Sequence, residues 1–146
     1  MYLADATQLP QLYTVETSPL TKSWIQGTGK AGDTPTNTTG VSWTLTGGSN
    51  LWSTPGCDYT EGANTTSQAF SLTADLDIDL DVTGFINSVE SGSIDNHGLI
   101  VKFADSQENE TTSSINLKYF SSNSSTIFPP YLEFKWDDSK YDSTLN

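Results

Sequence analysis

Residues 76–103, LDIDLDVTGFINSVESGSIDNHGLIVKF, followed at 115–138 by INLKYFSSNSSTIFPPYLEFKWDD, decide the fold class. In the first stretch Leu76, Ile78, Leu80 and Val82 alternate with Asp75, Asp77, Asp79 and Asp81. Successive side chains of a strand point to opposite faces, so this period of two predicts a half-buried strand. A short helix is expected next, with Thr83 as its cap, Phe85, Ile86 and Val89 as its apolar side, and Gly92 ending it in the left-handed conformation. Two turns are not stable alone, so the helix must lie across one end of a larger body. Residues 98–103 are apolar enough for a central strand, and 115–121 alternate again. Pro129-Pro130 stops ladder extension just before 131–136, where a closing strand is expected. Leu132, Phe134 and Trp136 would share one of its faces, and Tyr131, Glu133 and Lys135 the other.

Upstream the signals are weaker. Residues 67–72 begin the ordered half, and 41–46 (VSWTLT) predict a strand with Val41, Trp43 and Leu45 on its inward face. The run 8–16 (QLPQLYTVE) is β-rich but contains Pro10, which cannot donate to a ladder, so an edge position is expected. Residues 23–40 and 50–63 have loop composition punctuated by Trp24, Trp52 and Tyr59. Many short strands, long polar loops and one short helix predict an all-β fold, an antiparallel β-sandwich of the jelly-roll kind. It should form one domain over 1–138, with 139–146 as a C-terminal tail.

Composition narrows the function. A chain of 146 residues buries roughly two thirds of its unfolded surface. Ser and Thr fill 40 positions, which fits many loops and polar strand faces. All six basic residues are lysines, against eighteen acids, for a net charge of −12. Such a chain repels phosphate backbones and lacks the bidentate guanidinium that reads them, so nucleic acid is excluded as a partner. No stretch reaches the ~18 apolar residues of a membrane span, and no basic segment followed by an apolar run opens the sequence. Synthesis without a signal peptide and no membrane partner are therefore expected.

No catalytic constellation is visible, so the expectation is a non-enzyme without cofactors. Cys57 and His97 are the sole residues of their types, and nothing around Cys57 resembles an activated nucleophile. The alternating carboxylates Asp75, Asp77, Asp79 and Asp81 form a weak calcium candidate. One strand face splays such ligands apart, whereas calcium needs them to converge, so a solvated acidic face is the favoured reading. Asp81 has a second role open to it, supporting the exposed amides at the helix start.

A family resemblance adds to this. Ser23-Trp24 with Gly27-Thr28-Gly29, then Gly40-Val41-Ser42-Trp43, then Asp81-Val82-Thr83 leading to Ser91-Gly92 and Asn96-His97-Gly98-Leu99-Ile100-Val101-Lys102, resemble the DNRLRE-type domains. Those are jelly-roll sandwiches similar to carbohydrate-binding modules. Phe120-Ser121, Ile127-Phe128-Pro129-Pro130 and the block from Tyr131 to Asp138 resemble versions in structural proteins of tailed phages of marine bacteria. The resemblance spans roughly 12–138 and implies a virion structural protein, a decoration or connector piece, made in the host cytoplasm and found in the particle. Its partners would be other virion proteins, in a homo-oligomer or a strand-complemented assembly. Family domains carry one or two strands ahead of the segment matching 12–16. Their absence here would leave an edge for a partner, with Gln8, Gln11, Leu12, Tyr13 and Val15 as the interface. The alternative is a module binding a cell-surface or extracellular glycan. Trp52 and Tyr59 would then be stacking rings, and Asp58 and Glu61 hydroxyl acceptors.

Overall fold

The computed structural model of the chain describes residues 1–7, 12–29, 39–71, 76–108 and 116–136. Its elements in chain order are β1 (Leu3–Thr7), β2 (Tyr13–Pro19), β3 (Leu45–Gly47), β4 (Asn50–Leu51), β5 (Thr66–Phe70), α1 (Thr83–Glu90), β6 (Leu99–Phe103), α2 (Asp105–Glu108) and β7 (Asn116–Tyr119). All ladders are antiparallel: a three-stranded sheet β5-β2-β6, a two-stranded sheet β1-β7 and the hairpin β3-β4. The all-β, antiparallel expectation is therefore met.

β2 is the middle strand. Tyr13 to Thr17 pair with β5, while Val15 to Pro19 pair with β6. Strand propensity is high along YTVETSP, and Tyr13, Val15 and Thr17 point inward. This corrects the edge position expected for the run. Pro10 lies outside the described residues, and Pro19 sits where its missing N–H costs nothing, because the β5 ladder has ended at Thr17. A further strand, β1, precedes β2 and pairs with β7. A strand thus stands ahead of the segment at 12–16, where the resemblance implied one to be absent. β6, expected as central, pairs on one side only among the described residues.

The core forms two clusters. In the first, Val15, Phe70 and Ile78 are buried and receive Leu117 and Tyr119 from β7, together with Met1, Leu76, Leu80 and Phe103. The β1-β7 sheet thereby packs against the three-stranded sheet, a sandwich-like arrangement. In the second, Leu20, Trp52 and Cys57 are buried with Tyr59 and Ile100 against them. The polar residues buried in β2 are bonded: Thr17 Oγ1 donates to Ile100 O at 2.8 Å, and Ser18 Oγ meets Thr65 Oγ1 at 2.9 Å.

α1 follows the sequence closely. Phe85 is buried, and Gly92 (φ 70°) closes the helix: its N–H donates to Val89 O at 3.0 Å while Ser93 N–H donates to Ser88 O at 2.9 Å. This crossed pair is the αL-capped ending that glycine permits. Val82, not Thr83, holds the N-cap position, without a side-chain cap bond.

Two expected strands are not formed. Residues 76–82 join no ladder; they are tied by Ile78 N–H to Met1 O at 2.8 Å and by Gln68, whose side chain bonds Asp77 O and Asp79 N–H. Residues 131–136 also join no ladder, and every one of them is exposed. Alternation marks a segment fit for a sheet face, but a strand needs a neighbour to pair with, and none of the described residues supplies one.

Phe70 is wholly enclosed, whereas Phe134 is 59% exposed. Phe70→Ala should cost about 3–5 kcal/mol in urea unfolding. Phe134→Ala, measured on the dilute chain, should stay within about 0.5 kcal/mol. Equal losses would return 131–136 to a core.

Candidate functional site

The side chains with chemical potential gather on the loops around β3-β4 and the start of β6. Two crossing backbones make this face. A Cβ on Gly27 would fall on the main chain of Gly40, and a Cβ on Gly40 on the carbonyl of Gln26, which explains glycine at both positions. Val41 N–H then donates to Ile25 O at 2.7 Å, and Ile25 N–H to Thr46 O at 2.8 Å.

Trp43 takes the opposite role to the one its spacing implied, and Trp52 does not serve as the stacking ring of the glycan alternative. Trp52 is only 6% exposed, with its Nε1–H donating to Ser42 O at 3.0 Å and its ring against Leu20 and Cys57. It is a core residue and presents no face for stacking. Trp43, expected inward, is 63% exposed, because strand pairing begins only at Leu45 and the turn-like bonds of 41–44 do not keep a strand's alternation. Its ring lies against Gly56, where an added Cβ would come within 3.0 Å of it, and Gly56 N–H donates to Trp43 O at 2.7 Å. Trp24 is part-exposed and donates from Nε1 to His97 O at 2.9 Å. Beside these rings runs a groove of about 270 Å³, lined by Trp24, Val41, Leu99 and Val101 among others, with no charged side chain in its wall.

The other residues expected to bind glycan are dispersed. Asp58 accepts from Ser53 N–H at 2.8 Å and Thr54 N–H at 2.9 Å, with Lys22 Nζ 3.8 Å away. Those backbone bonds hold its carboxyl below the usual carboxylate range, and they make it a staple of its own loop. Tyr59 is half-buried and bridges Leu20. Glu61 is exposed and borders a separate, more polar cavity of about 340 Å³ with Asn64, Asp95 and His97. There His97 Nε2 stands 4.0 Å from Asp95, a carboxylate almost fully in solvent.

The acidic ladder does not converge on a cation site. Asp77 Oδ1 accepts from Leu3 N–H at 2.7 Å, Asp81 Oδ1 accepts from Thr83 N–H at 2.9 Å, and Asp79 is exposed. Asp75 lies outside the described residues. Among the described residues no group of three or more potential ligands could hold a metal ion. The bonds to Thr83 hold the Asp81 carboxyl below its ordinary range, in line with a role at the helix start. Burial pushes the Cys57 thiol up, opposite to what an activated nucleophile needs.

Of the expected interface, Gln8 and Gln11 lie outside the described residues. Leu12 is exposed, while Tyr13 and Val15 are buried in β2, whose two edges are both taken.

Sequence reading missed Lys102. Its ammonium is buried in β6 opposite its cross-strand neighbour Glu16 (3.6 Å), touches Asp105, and sits 5.1 Å from the centre of the Tyr59 ring. A lysine inside the apolar run GLIVKF, facing a strand that carries a single acid, was the available signal. Burial alone would pull Lys102 down, but Asp105 and Tyr59 hold it above the ordinary lysine range.

Comparison with family models, curated proteins and solved structures finds no match to this chain.

Lys102→Ala should destabilise the fold by about 2 kcal/mol, below the ~3–5 kcal/mol of a fully desolvated pair because both acids are partly in water. A folded-state pKa above the unfolded one makes this stabilisation complete below 10.5 and lost as pH rises through the raised value. The gap between wild type and variant in chemical unfolding should therefore narrow in strongly alkaline solution. A gap independent of pH would contradict the clamp.

Proposed function

We propose that this chain is a non-enzymatic structural protein of a tailed-phage particle, a jelly-roll relative of the DNRLRE-type domains that decorates or joins components of the virion. The observation that carries this reading is an imbalance of apolar surface. Among the described residues eight hydrophobic side chains are buried, whereas thirteen large ones are exposed, and six of those thirteen fall within 127–136. Apolar residues scattered singly over a surface are ordinary; a contiguous run of them calls for a covering partner. The same stretch carries the resemblance to structural proteins of tailed phages, which makes other virion proteins the partners. A net charge of −12 keeps such a chain soluble before assembly and turns it away from nucleic acid.

Trp43 favours a second reading, a glycan-binding module. An indole exposed over a glycine offers a flat apolar face of the kind that packs on the C–H face of a sugar, and the groove beside it would take a neighbouring substituent. A sandwich displayed on a particle has room for both roles.

In particles purified from lysate of the infected host, the chain should appear at a fixed copy number relative to the major head protein. Its absence from intact particles would overturn the structural role. Glycan-array binding that Trp43→Ala abolishes, while the variant's melting curve stays unchanged, would establish the second reading. Array binding unaffected by Trp43→Ala, or none at all, would remove it.

A further inference from the structure

Among the described residues two features lack a strand partner, and they match each other. The first is the segment 127–136. Ile127 is 86% exposed and Trp136 79%, with Phe128, Tyr131, Leu132 and Phe134 also in solvent. The period of two at 131–136 gives one apolar face, Leu132, Phe134 and Trp136, and an opposite face carrying Glu133 and Lys135, which pair at 3.6 Å and cancel. The base of the segment is fixed. Phe128 packs on Tyr2 (ring centroids 5.2 Å apart) and Phe120 (6.2 Å), and Tyr131 lies 6.1 Å from Tyr2. Pro129 and Pro130 stiffen the backbone between these anchors. Beyond Pro130 the chain runs out as a strand-patterned arm that joins no sheet.

The second feature is a sheet edge with no strand. Leu20 N–H donates to Gly98 O, and Ala104 N–H donates to Thr14 O. In an antiparallel ladder this register turns the even-numbered residues of β6 toward β2. The N–H and C=O groups of Leu99 and Val101 therefore point away from β2, and among the described residues no backbone group meets them. The uncharged groove lies alongside, walled by Leu99, Ile100, Val101, Trp24 and Val41.

From this juxtaposition we infer that residues 131–136 of one copy add as a strand to the outer edge of β6 in a second copy, laying Leu132, Phe134 and Trp136 into the groove beside it. Strand addition of this kind satisfies the open backbone groups and buries alternate side chains in one step. Electrostatics selects this contact between two copies. Molecules carrying −12 each repel over most of their surfaces. The groove has no charged wall residue and the arm is internally neutral, so the copies meet where repulsion is least. A reciprocal exchange closes a dimer; a head-to-tail exchange continues into rings or fibres. The inference rests on the assembly reading and names its first contact.

The full chain should have the mass of two or more copies by light scattering at high micromolar concentration. Leu132→Asp with Phe134→Asp in the arm, and Val101→Asp at the edge, should each reduce it to the mass of one, with a melting temperature equal to that of the dilute, dissociated wild type. A free peptide of sequence IFPPYLEFKWDD should compete with the arm and dissociate the wild-type assembly, a readout independent of whether any variant folds. Val101→Cys with Trp136→Cys should form a disulfide that doubles the chain mass. A monomer at every concentration, an assembly untouched by both sets of variants and by the peptide, or a disulfide confined to one chain would each overturn the inference. Self-association without incorporation into particles would sink the virion role and leave this contact standing; incorporation of a chain that stays monomeric alone would do the reverse.

Discussion

Tyr13–Pro19 exchanges backbone hydrogen bonds with Thr66–Phe70 on one side and Leu99–Phe103 on the other, and its inward side chains are almost wholly enclosed. Both core clusters are built on it: Val15 belongs to the first, and Leu20, the residue after the strand, to the second. Its position explains the buried polar atoms. Thr17 and Ser18 lie in the interior because the middle strand must pass through it, and each hydroxyl finds a partner. Glu16 gives the same strand its charge-pair with Lys102, so the register between β2 and β6 is held by a hydroxyl, an ion pair and the ladder together. A slip of one residue would turn Tyr13, Val15 and Lys102 to the wrong faces.

The cost of this arrangement is a small core. Three strands and a two-stranded cover enclose Phe70 and Ile78, but among the described residues no second layer lies over the outer side of β6 or over 131–136. A monomeric protein blunts such features with charges, prolines or short edges. Here the one acid of the arm, Glu133, is paired with Lys135, and nine of the thirteen exposed large hydrophobics among the described residues lie in the arm or line the groove. That distribution ties the fold to the proposed role, since apolar surface kept clear of charge is what an assembly contact requires.

Much of the architecture was legible where a local signal sufficed. α1 needed only an apolar side and Gly92. β6 and β7 lie within a residue or two of the segments that apolar density and alternation marked, and β5 overlaps 67–72, where the ordered half was expected to begin. What failed depended on distant partners. β1 has an unremarkable sequence, LADAT, and becomes a strand because β7 pairs with it. The alternation at 76–82 is stricter than that of any observed strand, yet Asp77 and Asp81 use their carboxylates on nearby backbone N–H groups and no ladder forms. The outward turn of Trp43 and the burial of Trp52 have the same origin. Alternation at 41–46 assigned Trp43 to a strand that begins only at Leu45, while the burial of Trp52 depends on Leu20 and Cys57, far from it or irregular in sequence. Periodicity reports which face would be buried; it is silent on what comes to bury it.

Hydrogen exchange followed by mass spectrometry, over a dilution series of the intact chain, tests the central claim most directly. Amides of Tyr13–Pro19 that pair on either side should exchange only through global unfolding at every concentration. Those of 131–136 and the outward amides of Leu99 and Val101 should exchange fast in dilute solution and become protected together as concentration rises. Protection of 131–136 in the dilute chain equal to that of Tyr13–Pro19 would contradict the account, because the arm would then already be a strand within its own sandwich.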